Sequence, residues 1–80
     1  MSHTPHELTE EFPDKAELIQ RLKTEDAHFA KLAERYHEIN REIHRIETNV
    51  EPASDFHSED LRKQRLALKD EIARALRAEA

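Results

Sequence analysis

Phe29, Leu32, Tyr36, Ile39, Ile43, Ile46 and Val50 follow one another in alternating steps of three and four residues. That spacing limits what the chain can become more than any other feature. It keeps one face of a single long helix against a partner along the whole stretch. The residues between them, among them Glu34, Arg35, Glu38, Arg41, Glu42 and Arg45, are charged and belong on water. Composition points the same way. Charged residues make up 39% of the chain and glycine is absent, whereas an all-β or α/β chain of this size needs glycines for its turns and β-branched runs for its strands. The expected fold is all-α: an antiparallel, coiled-coil-like helical hairpin with a short extra N-terminal helix, forming one domain over 80 residues.

Read in order, residues 1–12 are polar with two apolar points, Leu8 and Phe12. Thr4-Pro5-His6-Glu7 has capping-box form, but a frayed tail is the favoured reading. Pro13 suits the first position of a helix, so a short helix is expected over 13–23, with Ala16, Leu18, Ile19 and Leu22 as its apolar set. Thr24 and Asp26 are both N-cap types, which places a break there and starts the long helix at 26–48, one continuous helix from Pro13 being the alternative. Asn49 and Pro52 end it, and 49–54 is the turn. The last helix is expected over 55–78 with Leu61, Leu68, Ile72 and Leu76 as its inner stripe. On that helix Glu59 and Lys63, and Asp70 and Arg74, are spaced i,i+4 in the favourable order.

Two helices zipped along one seam barely offset the conformational entropy of some fifty ordered residues, at roughly 1–2 kcal/mol each. A second contact is therefore expected: the first helix folding back, a second hairpin, or another protein. Leu18, Leu22 and Leu66 are the candidates for it, with Ala73 beside them.

His28-Phe29-Ala30-Lys31-Leu32, Tyr36-His37-Glu38-Ile39-Asn40, Ile43-His44-Arg45 and above all Leu61-Arg62-Lys63-Gln64-Arg65-Leu66-Ala67-Leu68-Lys69-Asp70-Glu71-Ile72 resemble the YdcH-like family of small bacterial proteins, over about Phe12 to Leu76. Where that family often carries Asp-Pro, this chain has Asp26-Ala27. The resemblance implies a helical hairpin from a bacterial cytoplasm and brings no agreed activity, cofactor or catalytic residue.

Cysteine is absent, which removes disulfides, Cys-ligated zinc and thiol catalysis and fits a reducing compartment. No apolar run reaches the roughly 18 residues of a membrane span, and the N-terminus lacks the pattern of a secretory signal, so a soluble cytoplasmic protein is expected. Six histidines invite a metal reading, but His37 and His44 lie two turns apart on one helix and cannot share an ion within one chain. Neither a metal nor any other cofactor is expected. The carboxylates are dispersed and a hairpin offers little concavity in which to perturb a pKa, so no enzyme is expected either. Arg62, Arg65 and Lys69 share a face of the last helix. The simpler reading is a solvated face paired with acids of its neighbour, and the functional one is contact with phosphate or an acidic protein. The acidic net charge of −5 argues against nucleic acid. The acids Glu47, Glu51, Asp55, Glu59 and Asp60 gather at the expected hairpin tip, where an adaptor reading would have them engage a basic partner.

The sequence thus reads as a non-enzymatic hairpin acting through protein–protein association, self-association first. A nucleic-acid accessory protein using the Arg62, Arg65 and Lys69 face is the alternative. No membrane or small-molecule partner is expected.

Overall fold

The computed structural model describes residues 6–48 and 55–79, and every regular element among them is helical. The order is α1 (Leu8–Glu11), a 3-10 turn (Pro13–Lys15), α2 (Ala16–Glu25), α3 (Ala27–Glu47) and α4 (Asp55–Ala78). The turn expected over 49–54 lies outside the described residues, as does Val50 at the end of the seam.

Three boundaries have a local cause. Pro13 occupies the first position of the 3-10 turn, where its missing N–H costs nothing. Asp26 is extended, with φ −122° and ψ 106°, and its side chain accepts hydrogen bonds from the backbone N–H groups of His28 at 3.0 Å and Phe29 at 3.2 Å. That cap separates α2 from α3, so the pair is not one continuous helix, and the separation is made without a proline at residue 27. The Thr48 hydroxyl closes the other end of α3, donating to the carbonyl oxygens of His44 at 2.9 Å and Arg45 at 3.2 Å. No described helix is long and apolar enough to cross a membrane.

The core is built where three helices and α1 meet. Leu8, Ile19, Leu22, Phe29, Leu32, Ala33, Tyr36, Leu68, Ile72 and Leu76 form one buried cluster, with Phe12, Leu18, Ile39 and Ala75 packed partly buried against it. Ile43 and Leu61 are buried as well, and Ile46 is half-buried. The short first helix therefore folds back and supplies the third surface that two helices lack. Leu22 and part of Leu18 are spent inside the chain, whereas Leu66 stays 59% exposed, so these three residues do not form one outer contact.

Two further expectations are revised. Residues 8–11, favoured above as part of a frayed tail, form a turn of helix whose Leu8 is buried in the core. Leu8 and Phe12 are spaced i,i+4, but two apolar points over one turn are too short a pattern to mark a helix; what orders them is the cluster made by the longer helices. On α3 the buried face includes Ala33 and Asn40, while Ile39 is only partly covered. Phe29, Ala33, Tyr36, Asn40 and Ile43 repeat by steps of four and three just as the apolar set does. The helix is turned slightly so that its inner face lies between the two stripes.

Candidate association surface

α4 divides cleanly into two faces. Leu61, Leu68, Ile72 and Leu76 point inward, and the sequence-predicted seam partners Phe29, Leu32, Tyr36 and Ile43 are buried across from them. The outward side carries Phe56, 83% exposed, and Leu66, together with the exposed Ala67 and charged residues.

Between the two apolar segments of the inner face sits a polar layer. Asn40 is buried, and its side-chain oxygen accepts a hydrogen bond from the Arg65 guanidinium at 2.9 Å. Asn40 lies between Tyr36 and Ile43 on α3, and Arg65 lies between Leu61 and Leu68 on α4. A polar pair at one layer of a helical seam pins the register, because sliding one helix would strand both groups among apolar neighbours.

The basic face of α4 is tied down along its length. Arg62 Nη2 lies 3.4 Å from Glu47, Arg65 is held by Asn40, and Lys69 Nζ lies 3.5 Å from Glu11. The three cations bind α4 to α3 and to α1 and do not stand as a free patch. Glu47, one of the five acids expected at the tip, is among their partners.

α1 is fastened by polar contacts on both sides. His6, at φ 64° in the left-handed region that histidine visits more readily than most residues, presents its carbonyl oxygen to the Tyr36 hydroxyl, which donates at 2.5 Å. His6 Nδ1 lies 3.1 Å from Glu11, and His37 Nδ1 lies 3.1 Å from Glu7. A third histidine contact, His57 to Glu42 at 3.4 Å, joins α4 to α3. Three of the described histidines thus each lie beside a carboxylate. Among the described residues no group of three or more His, Asp or Glu converges on one point.

Burial pushes the Tyr36 phenol up to about 12 from its ordinary 10.0, the negative Glu11 adds to the rise, and Arg65 pulls the other way, with small further increments from Glu7 and Glu10. Because the folded value lies above the unfolded one, the neutral phenol contributes its full stabilisation below pH 10.0 and loses it as the pH climbs to about 12. Tyr36 is the single tyrosine and tryptophan is absent, so tyrosinate absorbance reports this site alone. The native chain is expected to titrate well above the urea-unfolded chain, and coincident midpoints would mean that the hydroxyl reaches water.

Asn40, Glu11 and the His6 carbonyl were not singled out by sequence reasoning. Asn40 left a trace, since it falls in the second stripe of α3. The other two left none, because their roles depend on where α1 lands.

Comparison with known proteins gives a consistent result. Residues 29–76 match the family described as protein of unknown function, DUF465. The uncharacterized protein YdcH of Escherichia coli (strain K12) is 33% identical over 69 residues, covering 86% of this chain and 93% of that protein. The protein of the same description from Shigella flexneri gives the same identity and coverage. No solved structure matches. The matched segment begins at Phe29 and ends at Leu76, so it holds the α3 residues from the first seam position onward, the Asn40–Arg65 layer and the inner stripe of α4. With more than half of the chain under the family profile and an alignment spanning nearly all of a relative, the chain belongs to the DUF465 family of YdcH-like proteins.

Proposed function

We propose that α3 and α4 form an antiparallel helical hairpin of coiled-coil character and that the protein works by protein–protein association, first of all with itself. The antiparallel sense is supported by the contacts: the far end of α4, at Leu76, shares a cluster with the start of α3, at Phe29, while Arg65 nearer its beginning meets Asn40 further along α3. One observation carries the association reading. The core is completed within one chain, yet Phe56 and Leu66 remain exposed on the outer side of α4. With exposed charges of both signs between and beside them on the same side of α4, they offer a surface that a second helix can cover.

The nucleic-acid alternative draws no support from the basic set. Arg62, Arg65 and Lys69 already have partners inside the chain, and breaking those contacts would have to be offset by phosphate. Low-salt gel retardation is expected to show no shift, and a salt-dependent shift would reverse this judgement.

Sedimentation equilibrium across a wide concentration range, with circular dichroism on the same samples, tests the main reading. The expected result is an average mass that rises reversibly with concentration at constant helicity. A fully helical monomer at every concentration would dismiss self-association.

A further inference from the structure

The outer face of α4 is self-complementary in one orientation. At about 100° per residue, Phe56, Lys63, Asp70 and Arg77 fall on one line directly away from the core, with Glu59 and Leu66 on one flank and Ala67 and Arg74 on the other. All eight are exposed. The i,i+4 pairs expected along this face, Glu59 with Lys63 and Asp70 with Arg74, do not close: among the described residues none of these four side chains takes part in a hydrogen bond or ion pair. Four charges of both signs therefore stand ready on the same strip as the two exposed apolar side chains.

We propose that this strip binds the same strip of a second copy of the chain, antiparallel, about a two-fold axis that passes between the two α4 helices, level with Leu66 and Ala67. The inference rests on the self-association reading and adds to it the face, the orientation and the register. That axis sets Lys63 opposite the partner's Asp70, Glu59 opposite the partner's Arg74, and Phe56 opposite the partner's Arg77, where guanidinium and ring attract. Symmetry makes each of these contacts twice, and Leu66 packs beside Ala67 of the other copy at the centre.

Other arrangements fail on charge. A parallel pairing in register opposes Lys63 to Lys63 and Asp70 to Asp70. An antiparallel slip of one turn one way brings Asp60 against Asp70 and Glu59 against Glu71. A slip of four residues the other way brings Lys63 against Arg74, and a slip of three brings Arg62 against Arg74 and gives up both Lys63–Asp70 contacts. Like charges directly opposed disfavour each of these and so select the matched register. The apolar contribution is limited to Phe56, Leu66, Ala67 and the half-buried Ala73, so the dimer is weak and its population depends on concentration and salt.

Charge exchange on the full chain tests the register. Lys63→Asp and Asp70→Lys are each expected to weaken dimerisation by about ten-fold or more in sedimentation, since each turns two attractive contacts into repulsive ones. The double variant is expected to return to within about three-fold of the parent. Both positions are exposed, so helicity and melting of each variant should match the parent. The chain has no cysteine, which gives a second measurement. A mixture of Lys63→Cys and Asp70→Cys chains is expected to form the mixed disulfide under mild oxidation in preference to either homodisulfide. A parent that dimerises while both single variants keep its affinity, or one in which Lys63→Cys links mainly to itself, would overturn this register and leave self-association standing. A parent that stays monomeric at every concentration would overturn both.

Discussion

Replacing Tyr36 by alanine should remove a large part of the stability of this chain. Tyr36 is fully buried, at the point where α1, α3 and α4 meet, and truncating a buried aromatic costs about 3–5 kcal/mol through lost transfer energy and the cavity left behind. A domain of this length has roughly 4–12 kcal/mol to lose, so urea unfolding followed by circular dichroism should show a midpoint lowered by at least about a quarter, and no cooperative transition where the parent lies at the low end of that range. Tyr36→Phe separates the two roles of the side chain. It keeps the ring and removes the hydrogen bond to the His6 carbonyl, a contact worth roughly 1 kcal/mol. Its expected mark is local: a small loss in global stability, with faster hydrogen exchange at the α1 amides of Glu11 and Phe12, which bond to the carbonyls of Glu7 and Leu8. If Tyr36→Phe were as damaging as Tyr36→Ala, the hydroxyl and not the ring would hold the core. If Tyr36→Ala cost less than about 1 kcal/mol, the packing described here would be wrong.

Much of this architecture was legible before any coordinates. The period of Phe29, Leu32, Tyr36 and Ile43 reports a buried helical face, and the inner stripe of α4 can be read the same way, because both elements are long enough for the pattern to repeat several times. Asp26 announced its cap by residue type. What the sequence did not display are contacts that depend on two elements arriving together. Leu8 has only Phe12, four residues on, to mark it, and only the presence of α2, α3 and α4 gives it somewhere to go. Asn40 looks like a surface residue one step from Ile39 until Arg65 is brought to 2.9 Å from it. Conversely, the Glu59–Lys63 and Asp70–Arg74 pairs on α4 were plain in the sequence and are not made. Exposed pairs of that kind gain only a few tenths of a kcal/mol in isolation, too little to fix the side chains against solvent.

The two faces of α4 predict opposite responses to the same kind of truncation. Ile72 is fully buried, and Ile72→Ala is expected to cost about 2–5 kcal/mol, which for a domain this small lowers the melting temperature by at least about 10 °C. Leu66 lies only six residues earlier on the same helix but is 59% exposed, and Leu66→Ala should change monomer stability by no more than about 0.5 kcal/mol. The order reverses when mass is read in place of melting. Leu66→Glu places two carboxylates beside each other at the proposed two-fold axis and should shift the monomer–dimer balance strongly toward monomer, with helicity unchanged. Ile72→Ala makes no contact across that axis and can affect association only through unfolding, so the fraction of it that remains folded should associate as the parent does. Thermal melts and sedimentation on these three variants therefore separate residues that build the domain from residues that couple one copy to another. A melting loss for Leu66→Ala comparable to that of Ile72→Ala would place Leu66 in the core of a single chain and remove the outer face of α4 as an interface.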